Sequence, residues 1–230
     1  MQWYNRLYQI YGMKRGVEVI IVEITQLGKG KYLVKNDEEA FVSIYYKDLK
    51  GLGFVVDQAC TEEQWAIATK SVIIRGKKRV FYLLSRKDYT EHEIRSKLVK
   101  EKYDDDQVKT ILEYFENLGY IDDVSYSNKY YNYYKDSKSK RIIEQKLKLK
   151  GISSELLKEL FSEKNLEKDA YKAAKKLAII KYGGRELEKD NYQKMVQFLM
   201  RKGFDYSVCK NTIDALFKGE LATYDGYEDY

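Results

Sequence analysis

Seven basic side chains fall between Lys135 and Lys150: Lys135, Lys138, Lys140, Arg141, Lys146, Lys148 and Lys150, against Asp136 and Glu144. This is the densest positive stretch of the chain. Its chemistry is attraction to an anionic partner, either an acidic protein surface or a nucleic-acid backbone. The plainer reading is a solvated helix face. Just before it, Tyr126, Tyr130, Tyr131, Tyr133 and Tyr134 crowd one segment of a chain that holds 23 tyrosines. Tyr126, Tyr130 and Tyr133 are expected to form one stripe. Such a stripe can stack bases, or it can fill a core with its hydroxyls reaching the edge. Each helix needs a buried face, which favours the core.

Residues able to do covalent chemistry are sparse. His92 is the only histidine, it lies beside Thr90 and Glu93, and no Ser or Cys partner is suggested by spacing. Asp104, Asp105 and Asp106, and likewise Asp122 and Asp123, sit at helix starts, where capping and the helix dipole explain them. Cys60 and Cys209 are two thiols far apart in sequence, expected to be reduced and not part of a disulfide framework. Gly28 and Gly30 lack the Gly-Lys-Ser/Thr ending that a phosphate loop needs. No catalytic residue, metal site or cofactor is therefore expected.

Charge is uneven. Residues 1–74 carry 9 basic and 9 acidic groups, residues 75–218 carry 33 and 23, and residues 219–230 carry four acidic groups alone. Apolar side chains make up 44% and charged ones 34%. No apolar run reaches the roughly 18 residues of a membrane span. The first twenty residues have no continuous apolar core, so no signal peptide is expected and a cytoplasmic location is.

The elements that carry these residues can be read from periodicity and caps. Val17–Ile24, Lys31–Lys35 and Ala40–Tyr45 read as strands of a small antiparallel meander, with turns at Gly28–Gly30 and Asn36-Asp37. Thr61-x-x-Gln64 and Thr90-x-x-Glu93 are capping boxes. Trp65, Ile67 and Ala68 begin an apolar face continued by Val80, Phe81, Leu83 and Leu84, and Gly76 is the candidate break between two helices. Val108, Ile111, Leu112, Phe115 and Leu118 predict a helix over Asp105–Leu118. Gly119 is its left-handed cap, and Asp122 or Asp123 opens the next helix, about Val124–Lys135. Ser139 caps Lys140–Lys150, with Ile143 and Leu147 buried and Gly151 at its end. Leu156, Leu157, Leu160 and Phe161 mark a further helix. Asp169–Lys181, broken by Gly183-Gly184, precedes Asn191–Lys202 and Tyr206–Phe217. Proline is absent, so glycines, caps and polar turns must end every helix.

A loose repeat runs through this region. Leu98-x-x-x-Lys102-Tyr103, Leu147-x-x-x-Gly151-Ile152 and Leu199-x-x-x-Gly203-Phe204 place their leucines 49 and 52 residues apart. A period near 50 residues holds three short helices, a unit too small to bury its apolar face alone. The expected fold is mainly α, with tandem three-helix repeats in an elongated curved array and a small antiparallel β-rich extension. Residues 1–60 form the strand-rich region and 61–218 the helical array, in units of about 61–121, 122–164 and 165–218. Residues 219–230 are expected to be a disordered acidic tail.

The chain resembles the RecX family, regulatory proteins of the RecA recombinase. The resemblance rests on RVFYLLSRKDYTEHEI (Arg79–Ile94), GYIDD (Gly119–Asp123), KLKLKGI (Lys146–Ile152) and FLMRKGFDYSV (Phe198–Val208), in order across residues 78–217. YLVKNDEEAFVSI (Tyr32–Ile44) is similar to the extension of longer members. The resemblance implies a non-enzymatic protein that lies in the groove of the RecA–DNA filament. There it restrains ATP hydrolysis, strand exchange and coprotease activity, and so acts in DNA repair, recombination and the SOS response. The departures are Ser139-Lys140 and Lys87-Asp88, where members often carry Gly-Pro and Arg-Pro, and Lys146, where an acidic residue is common.

The expected partner surface combines Lys138, Lys140, Arg141, Lys146, Lys148 and Lys150 with Arg86, Lys87, Arg95, Arg201 and Lys202, largely exposed along one side. The expected partner is a RecA filament, with the backbone of single- or double-stranded DNA as a further one. No membrane partner is expected, and a monomer is. A direct DNA-binding helical-repeat protein is the alternative.

Overall fold

Along strand β1 (Glu18–Gly28), Val19 and Ile21 are buried while Ile20 and Val22 face solvent. This is the period of two of a strand covered on one face. The computed structural model describes residues 18–182 and 191–219. β1 pairs antiparallel with β2 (Lys31–Asn36) and β2 with β3 (Phe41–Tyr45), and the three-residue β4 (Ala59–Thr61) lines the other side of β1. The predicted meander is present. β4 and the short helix α1 (Tyr46–Leu52) were not foreseen, since three and seven residues carry no resolvable period.

The chain divides into two compact units, Met1–Ile121 and Asp122–Tyr230. In the first, the sheet shares one core with three longer helices: α2 (Glu62–Leu84), α3 (Glu91–Lys100) and α4 (Asp105–Asn117). Ile21, Val34 and Ile44 of the sheet are sealed against Trp65, Val72, Ile94, Leu98, Ile111 and Phe115. All three helices open with complete capping boxes: Thr61 with Gln64, Thr90 with Glu93, and Asp104 with Gln107. Each box satisfies two N-terminal donors that no helix can satisfy itself.

Gly76 does not separate two helices. α2 runs unbroken through it. A Cβ at Gly76 would stand 2.3 Å from Ile111 Cδ1 and 2.9 Å from Tyr103 Cε1. The glycine is there because α4 comes close, not because the helix stops. A single helix also fixes a single buried face, through Trp65, Ala68, Val72, Gly76, Val80 and Leu83. Ile67 and Phe81 are turned outward, contrary to the sequence reading.

The second unit has six helices among its described residues: α5 (Asp123–Tyr134), α6 (Lys140–Lys148), α7 (Ser154–Ser162), α8 (Leu166–Tyr182), α9 (Tyr192–Arg201) and α10 (Tyr206–Phe217). They bury two clusters. Tyr131, Ile143, Leu147, Ile152, Leu157, Leu160 and Phe161 close α5–α7. Ala173, Ala174, Ala178, Met195, Leu199, Phe204, Cys209 and Ile213 close α8–α10. The three alanines let helices approach closely.

The sequence repeat is one helix ending, found at its three positions and also at Gly53 and Gly119. Lys102, Gly151 and Gly203 have φ of 66°, 85° and 83°. After each, the N–H of Tyr103, Ile152 or Phe204 donates to the carbonyl of Leu98, Leu147 or Leu199, at 3.1, 3.1 and 3.4 Å. This six-to-one bond with its apolar contact is a Schellman ending. All six of these leucine and apolar partners are buried. Gly119, with φ 71°, ends α4 in the left-handed conformation its position predicted. The expected break at Gly183-Gly184, the first seventeen residues and the acidic tail from Glu220 lie outside the described residues.

Candidate binding surface

Ile143 and Leu147 are 1% and 0% exposed, which fixes how α6 is rotated. With those two inward, Lys140, Arg141, Lys146 and Lys148 are all exposed. Ser139 starts the helix: its Oγ accepts from the Ile142 N–H at 3.4 Å. The same hydroxyl donates to the Lys202 carbonyl at 2.8 Å, across 63 residues of sequence. A Cβ at Gly203 would lie 2.7 Å from Ser139 Oγ and 3.6 Å from Arg141 Cβ. The start of α6 is therefore locked against the end of α9. That junction brings Lys140 and Arg141 to Arg201 and Lys202, all four exposed.

The other predicted cations are placed as follows. Lys148 pairs with Glu144 at 2.7 Å. Lys140 Nζ lies 5.0 Å from the Phe161 ring centre and Lys202 Nζ 5.7 Å from that of Phe198. Lys138 and Lys150 are half-buried, over Tyr134 and Tyr126. Burial, and then the charge of Lys146, hold the Lys138 ammonium below the ordinary lysine range. Arg86, Lys87 and Arg95 belong to the first unit, around the α2–α3 turn. Arg86 lies over Tyr82 and Lys87 over Tyr89. Arg95 is half-buried and pairs with Glu91 at 2.6 Å.

A groove of about 770 Å³ opens beside the α6–α9 junction, lined by Lys140, Arg141, Lys168, Tyr171, Ser207 and Asn211. Glu144, Glu167 and Asp205 also face it, so its charge is mixed. Lys168 and Tyr171 were not singled out from the sequence. Their only signal is spacing from Ala173 and Ala174, whose burial turns them outward.

The tyrosines of α5 separate into two roles. Tyr131 is the buried one, 2% exposed, and its hydroxyl donates to Asp169 on α8. Burial and that carboxylate raise its phenol well above the usual range. The stripe is Tyr126, Tyr130 and Tyr134, at i, i+4 and i+8, and does not run through Tyr133. Tyr126 and Tyr130 stack with centres 6.3 Å apart, and Tyr130 and Tyr134 meet at 4.6 Å. Tyr133 is 78% exposed and meets Tyr134 edge-on at 4.7 Å.

Groups that could do covalent chemistry are muted. The Cys60 and Cys209 thiols are buried and pushed up to about 11, so neither is a thiolate near neutrality. His92 is exposed on α3. Among the described residues no group of three His, Cys, Asp or Glu side chains could hold a metal ion. No helix there is long and apolar enough to cross a membrane.

Comparison with known proteins places this geometry in a family. Residues 77–115 match the model of the first three-helix domain of RecX, and residues 167–213 that of the third. Regulatory protein RecX of Clostridium botulinum (strain Eklund 17B / Type B) is 27% identical over 208 residues, covering 87% of this chain and 96% of that one. The RecX of Vibrio vulnificus (strain CMCP6) is 30% identical over 126 residues, 54% of this chain and 81% of its own. A crystal structure of regulatory protein RecX superposes with a TM-score of 0.56 at 26% identity, covering 85% of this chain and 99% of that one. Helix order, the repeated helix ending and these matches agree: the chain belongs to the RecX family of regulatory proteins.

Proposed function

We propose that this protein is a non-enzymatic regulator that binds a RecA–DNA filament and restrains its ATP hydrolysis, strand exchange and coprotease activity. It would thereby regulate DNA repair and recombination in the cytoplasm, including the SOS response. The observation that carries the reading is the meeting of Lys140 and Arg141 with Arg201 and Lys202 at a junction held by the Ser139 hydroxyl.

Four exposed cations on locked helices offer a fixed positive surface to an anionic partner. Long-range attraction speeds encounter with such a partner, and fixed geometry keeps the entropy cost of docking low. A repetitive filament suits a repetitive ligand. We read residues 61–121, 122–164 and 165–218 as three successive contact modules.

The test is the ATPase rate of the cognate RecA filament on single-stranded DNA, titrated with this protein while co-sedimentation follows binding. A fall in rate that tracks occupancy is expected. An unchanged rate at full occupancy would contradict the reading.

A further inference from the structure

The core takes Tyr131 and Ser127 from α5, the two residues of that helix that are buried. Tyr126, Tyr130 and Tyr134 sit half-buried at its rim, and Tyr133 stands out in solvent. Tyr126, Tyr130 and Tyr134 also pack against that core while keeping part of each ring at the surface, and core filling leaves Tyr133 alone unexplained. The ring centres are linked at 6.3, 4.6 and 4.7 Å in the order Tyr126, Tyr130, Tyr134, Tyr133.

From Tyr126 to Tyr130 to Tyr134 the row advances about 6 Å for every four residues, a step long enough for one extended nucleotide, and Tyr133 flanks its last ring edge-on. Lysines lie over the first and last rings of the i, i+4, i+8 stripe. Lys150 Nζ is 5.3 Å from the Tyr126 ring centre, and Lys138 Nζ is 3.3 Å from that of Tyr134. Lys146, exposed on α6, is close enough to Lys138 to lower its pKa. Asp122 and Asp123 stand at the opposite, N-terminal end of α5, so the positive exit from the row is toward Lys138 and Lys146.

We propose that the Tyr126–Tyr130–Tyr134–Tyr133 row is a base-stacking platform for single-stranded nucleic acid, with Lys138 and Lys146 taking the phosphates. Every base has a π-face, so stacking on such a row is tolerant of sequence. Lys138 already covers the Tyr134 ring and is partly stripped of water. When a phosphate draws the ammonium aside, the ring face becomes available to a base. The site concerns bases, not only backbone charge, and it does not depend on any recombinase.

The test uses the full chain alone, without RecA. The anisotropy of a labelled oligo-dT of about 12 nucleotides is compared with that of an abasic oligonucleotide of equal length and charge. Oligo-dT should bind at least about tenfold tighter, as one stacked base is enough to give. A Tyr130→Leu, Tyr133→Leu double variant, checked for an unchanged melt, should lose most of that preference while keeping its affinity for the abasic chain. Lys138→Gln should weaken both ligands alike. Tyr133→Leu alone, at a side chain 78% exposed, cannot upset folding and should reduce the preference several-fold. Equal affinity for the two oligonucleotides, no binding of either, or a preference that survives both tyrosine variants would overturn the proposal.

Discussion

The backbone N–H of Tyr103 donates to the Leu98 carbonyl at 3.1 Å, and the turn between them is made by Lys102 at φ 66°. The two equivalent turns, in the second and third helical groups, use Gly151 and Gly203. A side chain with a Cβ is strained in this region by about 1 kcal/mol, a cost glycine escapes. Lys102 is exposed and closes nothing that its side chain is needed for. Lys102→Gly should therefore stabilise the first unit slightly, by up to about 0.5 kcal/mol once the extra entropy of the unfolded glycine is counted. Urea unfolding of the full chain measures this. A lower midpoint for the variant would contradict it.

Gly203 and Gly119 test two costs separately. Both have positive φ, but a Cβ at Gly119 would meet nothing within 4 Å, whereas one at Gly203 would press on Ser139 Oγ at 2.7 Å. Gly119→Ala should cost about 1 kcal/mol, from backbone strain alone. Gly203→Ala should cost clearly more. Ser139→Ala, which loses a helix cap worth about 1 kcal/mol, also removes the clashing atom. The double variant should thus be less destabilised than the sum of the singles. Strict additivity in a double-mutant cycle would show that Ser139 and Gly203 are not in contact.

Gly76 is a helix-interior glycine, where alanine is ordinarily better by about 1 kcal/mol. Here Gly76→Ala should instead destabilise, by about 1–3 kcal/mol, because Ile111 is wholly buried and cannot move aside. Ile111→Val deletes the Cδ1 atom that stands 2.3 Å away and should recover part of the loss in the double variant. Thermal melts of the four proteins decide it: a Gly76→Ala protein that melts higher than the parent would mean the helices are not in close contact there.

Burial pushes the Asp104 carboxyl up to about 6 from its ordinary 3.8, against the hydrogen bonds that favour its ionised form. The folded state then holds more protons than the unfolded state between those two values. By linkage, this group's contribution to stability rises as pH falls from above 6 toward 4, and is flat below. Asp104→Asn keeps an acceptor for the capping box and removes the titration. Relative to the parent, the variant should gain more in Tm at pH 7 than at pH 4.5. An equal offset at both pH values would show that Asp104 titrates normally.

Much of the fold was legible because it is local. The Thr61/Gln64 and Thr90/Glu93 boxes, the Ile143/Leu147 pair and the left-handed Gly119 each depend on residues within one or two turns. The third box has the same spacing: the run of three aspartates marks a cap in the sequence, but does not show which of them closes a box, and Gln107 settles it as Asp104. Gly76 was misread because a glycine that ends a helix and one that admits a neighbour look alike until Ile111 is in place. The candidate surface was half legible. Burial of Ile143 and Leu147 exposes the cations of α6, but the hydroxyl bond that brings Arg201 and Lys202 to them spans 63 residues. Nothing in the sequence marks that pairing.

The most direct test is the inhibition curve of a Lys140→Glu, Arg141→Glu, Lys148→Glu variant against the cognate RecA filament ATPase. All three side chains are exposed, so the variant should melt within a few degrees of the parent. It should inhibit only at concentrations at least about tenfold higher, with the gap narrowing as salt screens the surface. A variant that melts like the parent and inhibits at the same concentration would show that this face of α6 is merely solvated, and the proposed binding surface would be wrong.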